Sequence, residues 1–163
     1  MESSLIILAV VGVLNVSQNG IDLIKKYESL RLEAYQCTAG KWTVGYGHTK
    51  DVEEGDVITE EQAEQFLRQD IKHLEEIINK SVKVPLCQNQ FDALASLVFN
   101  IGETNFRSST LLKCLNRGYY DQTAKQFLLW NKIKDKKTRI YINSPGLTRR
   151  RNEEMGLFLK NEQ

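Results

Sequence analysis

Thr59-Glu60-Glu61-Gln62 opens the longest uninterrupted helical pattern in the chain. A threonine hydroxyl can accept from the amide three residues on, while a glutamine there reaches back to the threonine's own amide, so this tetrad is a capping box. Behind it Phe66, Ile71, Leu74, Ile77 and Ile78 carry apolar residues toward Val82, with charged residues between them. That is the stripe of an amphipathic helix. Unbroken, the segment is a rod of roughly 33 Å, about the diameter of a small domain. Any fold has to be built around it.

The two sides of the rod read differently. Before it, residues 31–56 form short strands and turns, with Lys50-Asp51 and Glu53-Glu54-Gly55-Asp56 supplying turn chemistry. Ser17 is an N-cap for a helix over 18–29, with Ile21, Leu23, Ile24 and Tyr27 as its apolar stripe. Trp42, Val44 and Tyr46 alternate with Thr43, Gly45 and Gly47, which is the period of a strand. The glycines strip side chains from the Thr43 face, leaving room for a large ligand against the backbone. After the rod, Pro85 interrupts the chain, and Gln88 to Ile101 is apolar at helical spacing until Gly102 ends it. A further helix restarts at Phe106–Thr110, another covers 121–130, and Pro145-Gly146 turns into a last one reaching Leu159. The stretch 131–144 is basic, partly strand-like at Ile140-Tyr141-Ile142, and reads as a surface insertion. The fold class is α+β, with a small sheet lobe over 17–58, the rod over 59–82 and a larger helical lobe over 83–163.

The chain of 163 residues carries a net charge of +1, so long-range attraction to an acidic polymer is weak. Positive charge is local instead, at Lys132, Lys134, Lys136, Lys137 and Arg139 and again at Arg149, Arg150 and Arg151. These are either solvated faces or a basic rim for an anionic polymer. No nucleic-acid-binding motif accompanies them. Cys37, Cys87 and Cys114 lie far apart, and the only histidines are His48 and His73, so no metal site and no cofactor is expected. Cys87 and Cys114 are expected as small core residues. Residues Leu5 to Val16 are almost wholly apolar and no basic residue precedes them. As a helix they span about 18 Å, short of a ~30 Å hydrocarbon core. Three readings stand: a signal-anchor remnant that associates with a membrane, an element packed on the core, or a self-association segment.

Glu28, Cys37 and Thr43 stand at a spacing that resembles the Glu–Asp/Cys–Thr constellation of the phage-type lysozymes, or endolysins. Gly45-Tyr46-Gly47-His48-Thr49 is similar to that family's hairpin motif. The resemblance continues through Ala63-Glu64 to Gln69-Asp70, Phe99-Asn100-Ile101-Gly102-Glu103-Thr104, Trp130, and Pro145-Gly146-Leu147 before Arg149–Arg151. It covers roughly 17–159, nearly the whole chain. It implies a two-lobed lysozyme-like fold whose long helix joins the lobes, and a monomer that hydrolyses the bond between N-acetylmuramic acid and N-acetylglucosamine in peptidoglycan to lyse a host cell. A phage or prophage product of this kind reaches the wall either through a holin or by release from a signal anchor.

The resemblance also implies roles. Glu28 is the acid, and because an ordinary carboxyl is ionised at neutral pH, the role calls for partial removal from water. Cys37 occupies a position where many family members have Asp and some have Cys. As a thiolate it stabilises an oxocarbenium-like state, orients water or attacks directly. Thr43 holds the attacking water. His48 pairs with Asp70 as a structural contact, one of Arg149, Arg150 and Arg151, with Arg149 named first, orients Glu28, and Phe99, Asn100 and Thr110 contact the sugars, with core packing the other reading of Phe99. Inversion through the water is the family template, while a thiolate at 37 is also a competent nucleophile. Two alternatives accompany the hydrolase: a non-catalytic peptidoglycan-binding module on the same fold, and thiol-dependent amidase or endopeptidase chemistry at Cys37, for which His48 and His73 are the available bases.

Overall fold

The computed structural model describes residues 12–37 and 39–160. Helix α1 (Gln18–Tyr27) leads into a hairpin, β1 (Arg31–Gln36) and β2 (Trp42–Gly45). The rod follows as α2 (Glu60–Ser81), then α3 (Gln88–Ile101), α4 (Glu103–Ser108), α5 (Thr110–Asn116) and α6 (Tyr120–Phe127). A second hairpin, β3 (Lys132–Lys134) and β4 (Tyr141–Asn143), precedes the last helix, α7 (Pro145–Leu159).

The capping box forms as read: Thr59 Oγ1 accepts from the Gln62 amide at 3.1 Å and Gln62 Oε1 accepts from the Thr59 amide at 2.8 Å. Helix α3 is the centre of the molecule. Its residues 91–98 are all buried, and α1, α2 and α7 pack around it. A helix apolar on every side is stable only when it is enclosed, which is the position α3 takes. Leu67, Ile71, Leu74 and Ile78 of α2 join Phe91, Leu94 and Leu97 of α3, Phe127 of α6 and Phe158 of α7 in one core. Fully burying side chains of this size contributes roughly 1.5–3 kcal/mol each relative to exposure.

Helix α1 belongs to that core. Leu23 and Ile24 are buried and α1 packs along α3, so the sheet lobe begins after Tyr27. The sheet lobe is a hairpin pairing Tyr35 with Thr43 and Gln36 with Trp42. The chain then crosses back, so that Ala34 donates to the Asp56 carbonyl and Ile58 to that of Leu32, both near 2.9 Å or shorter.

The open ligand face expected beside Gly45 is not there. Thr43, Val44 and Gly45 are all buried, and a Cβ on Gly45 would lie 3.4 Å from Ala63 Cβ. The glycine makes room for the first turn of α2, not for a ligand. In the second hairpin β4 finds its partner in β3, with Ile133 opposite Ile142 and Lys134 opposite Tyr141, and both strands are exposed.

Of the apolar amino-terminal run, residues 5–11 lie outside the described residues. Residues 12–16 are tied to the helical core. The Leu14 backbone exchanges hydrogen bonds with the Asn79 side chain at 2.8 and 3.1 Å, and the Val16 amide donates to Glu75 Oε1 at 2.7 Å. This part follows the core-packed reading. No helix among the described residues is long and apolar enough to cross a membrane.

Candidate active site

Glu28 is the C-cap of α1, where the chain leaves the helix for β1. Its side chain is 22% exposed, and its Oε1 accepts from Arg150 Nη1 at 2.7 Å. Its Oε2 accepts no hydrogen bond among the described residues and faces Gly47, where a Cβ would stand 4.0 Å away. Gly47 has φ +96°, a backbone conformation that favours glycine, so the turn after β2 can pass beside the carboxylate.

The guanidinium against Glu28 is therefore that of Arg150 and not Arg149. Arg149 is exposed, whereas Arg150, Arg151, Glu154 and Phe158 form the buried face of α7. The signal was the helical spacing of those residues: Glu154 is four residues beyond Arg150, and Arg149 is off that face.

Around Arg150 lies a buried ionic cluster that the sequence reading missed. Arg150 Nη2 donates to the Ser96 carbonyl at 2.9 Å, and Arg150 Nε donates to Glu154 Oε1 at 3.1 Å. Ser96 Oγ donates to the same oxygen at 2.6 Å, and Arg151 Nη2 reaches it at 3.1 Å. Arg151 Nε is 2.9 Å from Glu154 Oε2, an ion-pair distance without hydrogen-bond alignment. Burial pushes the Arg151 guanidinium down to about 10, against the pull of Glu154, and it stays charged at neutral pH. Burial likewise raises the Glu154 carboxyl, opposed by Arg151 and Arg150. With two guanidiniums against it, Glu154 is held as the carboxylate, which balances one of the two cations and leaves the other to Glu28.

Arg150→Met is expected to lower stability by about 3–5 kcal/mol, because it strips a partner from a fully buried Glu154. Arg149→Met, on the exposed face, should stay within about 0.5 kcal/mol. Urea denaturation measures both, and equal losses would contradict the assignment.

Cys37 follows β1 and is half-exposed. The Lys41 amide, then the Ala39 amide and the Thr43 hydroxyl, hold its thiol below the usual thiol range. Thr43 is 3% exposed, and its hydroxyl also lies 3.0 Å from the Lys41 carbonyl, so one proton serves two acceptors in turn. Cys87 and Cys114 are half-buried rather than core residues, Cys87 at the N-cap of α3 and Cys114 on α5. All three thiols are free.

His48 is buried, its Nδ1 is 2.8 Å from Asp70 Oδ2, and its ring stacks on Phe66 with centroids 4.5 Å apart. The Val44 and His48 backbones exchange hydrogen bonds at 2.9 Å each way. The pair thus ties the hairpin turn, and Gly47 with it, to α2.

Phe99 borders a cavity of about 520 Å³ that is also lined by Lys41 and Gly47. The residue whose amide steadies Cys37 and the residue beside Glu28 thus share one cavity with a ring. Asn100 borders a second cavity of about 450 Å³ with Trp130 and Tyr141, and its Oδ1 accepts from Arg151 Nη2 at 3.1 Å. Thr110 is exposed at the start of α5 and lines neither cavity. No cluster of three potential metal ligands occurs among the described residues.

Residues 25–154 match the phage lysozyme family. The chain belongs to that family. It is 54% identical over 145 residues to the endolysin of Acyrthosiphon pisum secondary endosymbiont phage 1, covering 89% of this chain and 98% of that one. It is 32% identical over 157 residues to the SAR-endolysin of bacteriophage PS119, covering 96% of this chain and 89% of that one. Among solved structures the muramidase domain of SpmX from Asticaccaulis excentricus superposes with a TM-score of 0.84 at 39% identity, over 90% of this chain and 99% of that one. The α+β architecture is that of a lysozyme, and this family member is a glycoside hydrolase.

Proposed function

We propose that this phage lysozyme cleaves the bond between N-acetylmuramic acid and N-acetylglucosamine with Glu28 as acid and Cys37 with Thr43 on the opposite side of the reaction. The observation that carries the assignment is the divided carboxylate of Glu28. Arg150 occupies Oε1 and leaves Oε2 free beside Gly47, which itself borders the cavity. A proton on Oε2 passes to the glycosidic oxygen as the bond to the anomeric carbon breaks. Positive charge develops at that carbon, and a thiolate at Cys37 opposes it. Water, held by Cys37 and the Thr43 hydroxyl, bonds to the carbon and gives its proton to the thiolate. Phe99 offers a ring to a sugar face, and Asn100 offers amide hydrogen-bonding groups to an N-acetyl group. His48, Asp70 and Arg150 position the chemistry without taking part in it. The substrate is the peptidoglycan of the host cell wall.

A non-catalytic binding module would keep the cavity and lose the chemistry. Permeabilised Gram-negative cells distinguish the two: loss of turbidity with new reducing ends is the expected result, and binding without either would overturn the assignment.

A further inference from the structure

Arg150 poses a problem for the acid it touches. A guanidinium 2.7 Å from a carboxylate favours the ionised form, whereas a proton donor has to hold its proton. Arg151 adds a second buried cation, fully enclosed on the same face of α7. Against these stands Glu154, also fully enclosed, touching both arginines and fixed by Ser96 Oγ.

We infer that Glu154, held by Ser96, is a positioning residue of the lysozyme reaction: it fixes Arg150 so that Nη1 orients Glu28, and it cancels the second buried charge of Arg151. Arg150 then steers Glu28 without locking it as an anion. The inference rests on Glu28 being the acid.

The geometry supports both parts. Arg150 spends Nε on Glu154 and Nη2 on the Ser96 carbonyl, so its guanidinium plane is set by two buried acceptors before Glu28 is considered. Glu28, Glu154, Arg150 and Arg151 together are neutral, and the other ionisable groups nearby have partners of their own. Lys26 and Tyr27 of α1 bond Glu153 of α7, and Lys25 of α1 pairs with Glu64 of α2. His48 of the hairpin turn pairs with Asp70 of α2, and Asp92 of α3 accepts from Ser17. Arg149 is exposed, and the Cys37 thiol belongs to the hairpin. Glu154 is thus the carboxylate that balances the second arginine.

The test has two variants with opposite signs. Carbon-13 NMR of the glutamate side-chain carboxyls follows Glu28, whose resonance is the one lost in Glu28→Gln. In Glu154→Gln the cations are uncompensated, so the titration midpoint of Glu28 should fall by roughly one pH unit or more. In Arg151→Met a cation is removed and Glu154 remains, so the midpoint should rise. Arg151 Nη1 has no acceptor among the described residues, and methionine keeps most of the side-chain volume, which favours folding of this variant. The double variant Glu154→Gln/Arg151→Met should return the midpoint to within a few tenths of a unit of wild type. Reducing-end release should fall about tenfold or more in Glu154→Gln and recover in the double variant. A merely structural Glu154 would lower melting temperature in both single variants without opposite titration shifts. Unmoved midpoints, or shifts of the same sign, overturn the inference. Cleavage by Glu28→Gln would instead overturn the acid assignment, so the two failures are distinguishable.

Discussion

Glu28→Gln is expected to abolish lysis while leaving the fold intact. Glutamine keeps the size of the side chain and can still accept from Arg150 Nη1, so the contact between the end of α1 and the buried face of α7 survives. What the amide cannot supply is a proton at the oxygen facing Gly47. General acid assistance contributes roughly a hundred- to ten-thousand-fold, and the loss should fall in that range or beyond it. Circular dichroism establishes folding and reducing-end release measures the rate. A folded Glu28→Gln protein that retains wild-type lysis would remove Glu28 from the reaction.

The second large effect belongs to position 37. Cys37→Ala removes the charge that opposes the developing cation, and a loss of about a hundredfold is expected. Cys37→Asp restores a negative charge on a short side chain and should remain within about tenfold of wild type. The thiol itself gives an independent reading. Its amide and hydroxyl donors favour the thiolate, so its ionised form is populated at lower pH than in an ordinary cysteine. The rate of alkylation therefore rises with pH and reaches half its plateau below the midpoint of a free thiol such as glutathione. Modification followed by mass mapping should abolish lysis in wild type and leave Cys37→Asp active. Equal rates for wild type and Cys37→Ala, or full activity with Cys37 blocked, would make the thiol structural.

The sequence made the scaffold readable where local chemistry and burial agree. The capping box sets the start of α2, and Gly102, with φ +82°, sets the end of α3. The candidate residues fared unevenly for physical reasons. His48 and Asp70 meet as expected because the hairpin motif fixes the direction of the histidine. Arg149 stood first of three candidates and Arg150 takes the place, since choosing among three consecutive arginines requires knowing which face of α7 is buried, and only Glu154 and Phe158 further along reveal it. Thr110 starts a helix but points to solvent, because a helix start does not fix which way its first turn faces. The opening beside Gly45 was filled by Ala63 of α2, a contact across the chain that strand periodicity does not encode. Ser96 stood unnoticed within an apolar helix, and its function appears only once α7 lays Glu154 against it.

Product analysis on purified peptidoglycan identifies the bond that this chain cuts. Digestion with the wild-type chain, reduction with borohydride and mass spectrometry should yield muropeptides whose reduced end is N-acetylmuramic acid, with every peptide amide intact, and the Glu28→Gln protein should yield none. Reduced ends at N-acetylglucosamine or free stem peptides would rule out muramidase cleavage, and the same products from Glu28→Gln would rule out Glu28 as its acid.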